Sequence, residues 1–169
     1  MDSWKASRAH RSFVMTLNAP PGKVFPLLCP VREYEWIPHW RCEMIYSESG
    51  VAEAGCVFTT DFSGEGKDVW VVSRYEPNRA IGFVRTSRIR TVTYDIRLSE
   101  SADGKTAAMW SQILTGLNPE GNRALEAVTP ENYRDLMSAL QDMINHYLAT
   151  GQALHVDAEA VSRRYESPD

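Results

Sequence analysis

Six successive segments between Arg41 and Leu117 follow a two-residue period, and turn residues separate each from the next. "CEMIYSES" runs to Gly50, "CVFTTDFS" to the Gly64-Glu65-Gly66 turn, and "DVWVVSRYEPN" closes with Pro77 and Asn78. "AIGFVRT", "TVTYDIRLSE" and "TAAMWSQILTGL" complete the series. Period two is the mark of a strand with one buried face. The Asp103-Gly104 pair between the last two segments is a strong two-residue hairpin signal. Together these commit the chain to an antiparallel meander, and no sequence repeat suggests a propeller or solenoid.

The flanks complete the element order. "RSFVMTLN" alternates as a strand. In "APPGKVFPLLC", Pro20 and Pro21 fit the first turn of a helix that Pro26 and Pro30 keep short. The next dozen residues, "CPVREYEWIPHW", carry two tryptophans among charges and prolines and read as a second brief helix ended by Pro38. After the meander, Thr129 and Pro130 open a long helix and Gly151 is placed to end it. Tyr133, Leu136, Met137, Leu140, Met143, Ile144, Tyr147 and Leu148 recur at three- and four-residue steps along one face, while Gln141 and Asn145 belong to the other. Residues 1–9 read as an extension, 10–151 as one domain and 152–169 as a loose charged tail.

Composition narrows the function classes. The 43% hydrophobic and 24% charged residues are ordinary for a globular domain, and no run is long enough for a membrane span. A net charge of -4 argues against general nucleic-acid binding. Arg79, Arg85, Arg88, Arg90 and Arg97 are close in sequence and form either an anion-facing patch or a solvated hairpin. Cys29, Cys42 and Cys56 lack the spacing of a zinc or redox site and read as free thiols, which with the missing secretory leader points to a cytoplasmic protein. His10, His39, His146 and His155 lack metal-ligand spacing, so neither a metal nor a cofactor is expected. No Gly-rich phosphate loop or serine nucleophile elbow is present.

The strand followed by "NAPPGKVFPLL" and a short aromatic segment ending in "WIPHW" resembles the START-like or SRPBCC superfamily, which includes birch-pollen-allergen-like proteins, lipid-transfer domains and polyketide cyclases. The Ala-Pro pair with Val24 and Phe25 is similar to that group's usual opening, and Trp40 matches the aromatic that follows it. The resemblance covers about residues 10 to 150. It implies an α+β helix-grip fold: a curved antiparallel sheet of about seven strands around a long C-terminal helix, with two short helices after the first strand and a cavity between sheet and helix.

Within that implied fold, Trp36 and Trp40 serve either as a lid over the cavity mouth or as a plug in the end of the sheet, with Arg32, Glu33, Glu35 and His39 turned to water. Strand parity groups Cys56, Phe58, Thr60 and Phe62 on one face, Ile81, Phe83 and Arg85 on another, and Arg90, Val92, Tyr94, Ile96 and Leu98 on a third. Val69, Val71, Ser73 and Tyr75 are grouped as an inward set, although Trp70 and Val72 compete for that side, as Trp110 and Leu114 compete with Met109 and Ile113. Candidate ligand contacts are thus Trp36 and Trp40 from the lid, Phe58, Thr60, Phe83, Arg85, Arg90 and Tyr94 from the strands, and Met137, Leu140 and Ile144 from the helix. Arg85 and Arg90 either hold a ligand carboxylate, pair with Glu35 or Asp61, or extend to solvent.

The expected function is binding of a small hydrophobic or amphipathic molecule, lipid-like or aromatic and polyketide-like. One alternative is a cyclase or dehydratase in the same cavity, with His39, Glu35, Tyr94, Arg90 or Asp61 moving protons. Another is a co-chaperone-like module acting through its surface. No residue is assigned as catalytic, and no protein partner is named.

Overall fold

In the first strand, β1 (Arg8–Leu17), odd-numbered residues are buried or half-buried and even-numbered ones exposed, so alternation alone fixes which face meets the core. The computed structural model describes residues 4–61, 64 and 66–155. Phe62 and most of the tail (156–169) lie outside the described residues. After β1 come α1 (Pro21–Val24), a 3-10 turn (Phe25–Leu28) and α2 (Pro30–Glu33). The meander follows as β2 (Glu43–Tyr46), β3 (Val57–Thr60), β4 (Asp68–Glu76), β5 (Ala80–Thr86), β6 (Arg90–Glu100) and β7 (Thr106–Gly116). The chain then forms α3 (Pro119–Glu126) and α4 (Pro130–Thr150). No helix among the described residues is long and apolar enough to cross a membrane.

All seven strands form one antiparallel sheet in the order β1-β7-β6-β5-β4-β3-β2. Because β1 and β2 occupy opposite edges, residues 18–42 must traverse the sheet from one edge to the other. Their prolines keep α1 and α2 to four residues each, so this crossing is a chain of short turns rather than a helix. The core unites the inner face (Met15, Leu17, Phe58, Val72, Ile81, Ile96, Trp110) with Met137 and Ile144 of α4.

Two parity assignments resolve and one is corrected. On β7, Trp110 and Leu114 are buried and Met109 is exposed. On β4, Trp70 and Val72 are buried, whereas Val69, Val71 and Ser73 face out. This strand is apolar on both faces, and burying the indole removes more apolar surface from water than burying valines does. A register shift between Val72 and Arg74 then returns Tyr75 to the inner side, opposite Ile81. The helix α3 was not anticipated, although Asn118 caps it by accepting from the Gly121 N–H at 2.9 Å and Pro119 occupies its first turn. It packs close to the β5–β6 turn because Gly121 lacks a Cβ, which would fall 1.9 Å from the Ile89 carbonyl oxygen.

The long helix begins and ends where the sequence indicates. Thr129 accepts from the Asn132 N–H at 3.1 Å, and Gly151, at φ 71°, closes the last turn. Its polar face has a role that periodicity did not reveal. The exposed edge of β1 is met by two amides of α4: the Thr16 N–H donates to Gln141 Oε1 at 2.8 Å, and the Asn18 N–H to Asn145 Oδ1 at 2.9 Å. Asn145 Nδ2 donates in turn to the Thr16 carbonyl at 2.9 Å. These side chains replace the strand that an open edge would otherwise recruit. Asn145→Ala removes two of the three bonds and should lower the unfolding free energy by about 1–2 kcal/mol in a urea titration; an unchanged midpoint would mean that water replaces them without loss.

Candidate functional site

The crossing segment closes one end of the sheet. Trp36 is 1% exposed, with its indole N–H donating to the Leu27 carbonyl at 2.8 Å, so of the two alternatives it takes the plug position. Trp40 is half-buried and donates to the Pro30 carbonyl at 2.9 Å. Of the four residues expected to face water, His39 is exposed, at φ 63°. Arg32 forms a two-pronged pair with Glu35 at 2.6 and 2.9 Å, and the Tyr147 hydroxyl of α4 donates to the same carboxylate. Arg32 and then Tyr147 hold the Glu35 carboxyl below its usual range, and the Glu35 bond raises Tyr147. This latch ties the plug to α4.

Glu33 departs from expectation. It is half-buried rather than turned to water, and the protein crowding its carboxyl pushes it up to about 8. Burial raises the Cys42 and Cys56 thiols, and Cys29 Sγ accepts from the Ala52 N–H at 3.2 Å. Among the described residues, no three His, Cys, Asp or Glu side chains converge in a way that could hold a metal ion.

The middle of the inner face is an aromatic box. Trp70 stacks on Phe58 at 5.4 Å and on Tyr94 at 5.3 Å, and Phe83 presents its edge to all three at 6.1 to 6.5 Å. The Trp70 indole N–H donates to Thr60 Oγ1 at 2.9 Å. The Arg85 guanidinium lies 5.0 Å from the Trp70 ring centre and bonds Asp68 at 2.6 Å, with side-chain exposures of 13% and 1%. The acidic partner is therefore Asp68, not the anticipated Glu35 or Asp61, and the pair lies inside rather than in solvent. Asp61 instead lines a separate groove of about 190 Å³ with Lys67. Arg90 is half-buried beside the β5–β6 turn, Met137 and Ile144 are buried in the α4 core, and Leu140 is half-buried against it. The arginines do not form one patch: Arg88 pairs with Glu120 and Arg97 with Asp95 on the surface.

A second polar group on the inner face went unnoticed in the sequence. The register places Gln112 opposite Tyr94 and Arg11 opposite Gln112, with Trp110 opposite Phe13 one step along β7 and β1. Arg11 is held by three bonds to carbonyls, two to Val128 at 2.8 and 2.5 Å and one to His10 at 2.8 Å. Tyr133, from the first turn of α4, is 4% exposed, and burial followed by the nearby Tyr94 raises its hydroxyl. Trp110 Nε1 and Tyr133 Oη are buried with no hydrogen-bond partner among the described residues. A groove of about 250 Å³, lined by β1 and by Pro130, Tyr133 and Arg134, opens here. Two donors in an apolar wall can take an acceptor oxygen of a bound molecule. Residues such as Gln112 and Arg11 occupy inward phases of their strands, but polar side chains leave no hydrophobic signal.

The raised Glu33 carboxyl has a signed consequence. Between pH 4.5 and about 8 the folded state holds a proton that the unfolded state has lost, so stability falls as pH rises through this window. Glu33→Gln should flatten that slope and stabilise the protein at pH 8 by on the order of 1 kcal/mol, discounted for the residue's partial solvent contact. Parallel melting curves of both proteins from pH 5 to 8 check this, and identical slopes would contradict it.

No protein-family model and no curated protein sequence matches the chain. Solved structures do. The aromatase/cyclase Zhui from Streptomyces sp. R1128 is similar at 16% identity and TM-score 0.60, covering 88% of this chain and 100% of that one. Ara h 8.0201 is similar at 15% identity and TM-score 0.60, covering 85% and 99%. The Mll3558 protein from Rhizobium loti is similar at 16% identity and TM-score 0.60, covering 83% and 99%. The seven-stranded antiparallel sheet, the segment that crosses its end and the long final helix, together with these likenesses, identify the chain's fold as the START-like helix-grip.

Proposed function

We propose that this protein binds a small hydrophobic or amphipathic molecule between the inner face of the sheet and α4. One observation carries the reading: Trp110 Nε1 and Tyr133 Oη are buried donors with no acceptor among the described residues. An unmet buried donor costs about 1–3 kcal/mol. An oxygen on an otherwise apolar ligand relieves that cost, and few polar groups in an aromatic wall is the usual make-up of such a site. The packed rings of Phe58, Trp70, Phe83 and Tyr94 give the inner face an aromatic wall, and Asp68 balances the Arg85 charge beside it.

A second reading, a cyclase- or dehydratase-type reaction, is favoured by Glu33 of the crossing segment, whose carboxyl burial pushes up to about 8 so that it holds its proton near neutral pH. Binding alone needs no such group.

Native mass spectrometry of the purified protein, repeated after organic extraction, tests the binding reading together with a thermal-shift screen of apolar compounds. The expected result is an added mass released as an apolar compound, or a clear rise in melting temperature with members of the library. A bare protein that no compound stabilises would contradict it.

A further inference from the structure

We infer that the groove between β1 and the first turns of α4 holds the anionic head of the bound molecule, which makes the ligand an amphipathic anion such as an aromatic or acyl carboxylate; this rests on the interior-binding reading above. Near its C-terminal half, α4 is clamped to β1 through Gln141 and Asn145. Around residues 130–134 it stands off the strand, leaving the groove of about 250 Å³. The lining carries Arg11, Arg134 and His10 and no acidic residue, in a chain whose net charge is -4. Glu131 and Asp135 share the same turns but do not line it.

Arg11 is fixed by carbonyl oxygens, which orient its guanidinium without cancelling its charge. Arg134 is exposed at the mouth, free of the desolvation cost that Arg85 carries inside. The alternation that turns the Thr16 and Asn18 N–H groups toward α4 turns the Ser12 N–H toward the groove. Its floor is Phe13 and Tyr133, and Phe13 lies opposite Trp110 on the neighbouring strand. The groove thus joins a basic mouth to the wall that holds the two unpartnered donors. A head group at the mouth leaves the apolar body to enter past Tyr133 toward Tyr94.

Two dyes with one skeleton test this: 1-anilinonaphthalene-8-sulfonate, whose sulfonate stands in for the carboxylate, and the uncharged N-phenyl-1-naphthylamine. Both are titrated by fluorescence against the wild-type protein and Arg134→Glu. The expected result is that the sulfonate binds roughly tenfold more tightly than the neutral dye, with the gap narrowing as salt rises. In Arg134→Glu the gap should close to about twofold, chiefly through weaker binding of the sulfonate. Equal affinities in the wild type, or a gap that survives in Arg134→Glu, would overturn the head-group assignment while leaving interior binding intact. Failure of both dyes to bind would overturn the interior reading and this inference with it.

Discussion

β1 hydrogen-bonds to β7 along its whole length, from Arg8 opposite Thr115 to Leu17 opposite Thr106, and this pairing puts the first strand at the far edge from the second. Residues 18–42 are then obliged to cross an end of the sheet. A crossing segment that closes an apolar interior needs bulky apolar groups on one side and satisfied polar groups on the other. Trp36 supplies the first, and the Arg32–Glu35–Tyr147 latch supplies the second. The same pairing leaves one edge of β1 without a strand, and α4 covers it with amide side chains. The crossing segment and the amide cover over the open edge of β1 thus both follow from one strand pairing.

The interior that results is not uniformly apolar. Arg85 and Asp68 are almost wholly removed from water, which is costly for each charge alone and tolerable because each meets the other and the guanidinium lies against Trp70. A pair of this kind adds little net stability but fixes how the aromatic box is assembled. Its charges are matched, so it is a poor anchor for a ligand anion. The cationic groups at the β1–α4 groove are differently placed, since Arg11 is bonded to neutral carbonyls and Arg134 reaches solvent. The two ends of the inner face therefore differ in electrostatic character.

Much of this architecture was legible in the chain. The strand periods, the Asp103-Gly104 turn, the Thr129 cap and Gly151 stop are local signals, and the structure follows them. Parity also put Phe83 with Arg85 and Tyr94 with Ile96 on the inward side. It failed on β4, because valines fill both faces and a register shift follows Val72. It was silent on Gln112 and Arg11, since polar residues at inward phases look like surface. Asp68 was missed as the partner of Arg85 because their meeting depends on the register of β4 against β5, not on sequence distance. α3 was missed because only Gly121 and Leu125 are buried in it, too few to give a period.

The most direct measurement uses the five tryptophans as reporters. In a 1H–15N spectrum each indole N–H gives one signal, assignable by single Trp→Phe variants. Trp36 and Trp40 are bonded to backbone carbonyls and Trp70 to Thr60, Trp4 is 46% exposed, and Trp110 is buried without a partner among the described residues. If the interior receives a ligand, titration with N-phenyl-1-naphthylamine should move the Trp110 indole signal most and Trp70 next, leaving Trp36 in place. A Trp110 signal that stays fixed while Trp4 or Trp40 moves would put the dye on the surface and contradict the account.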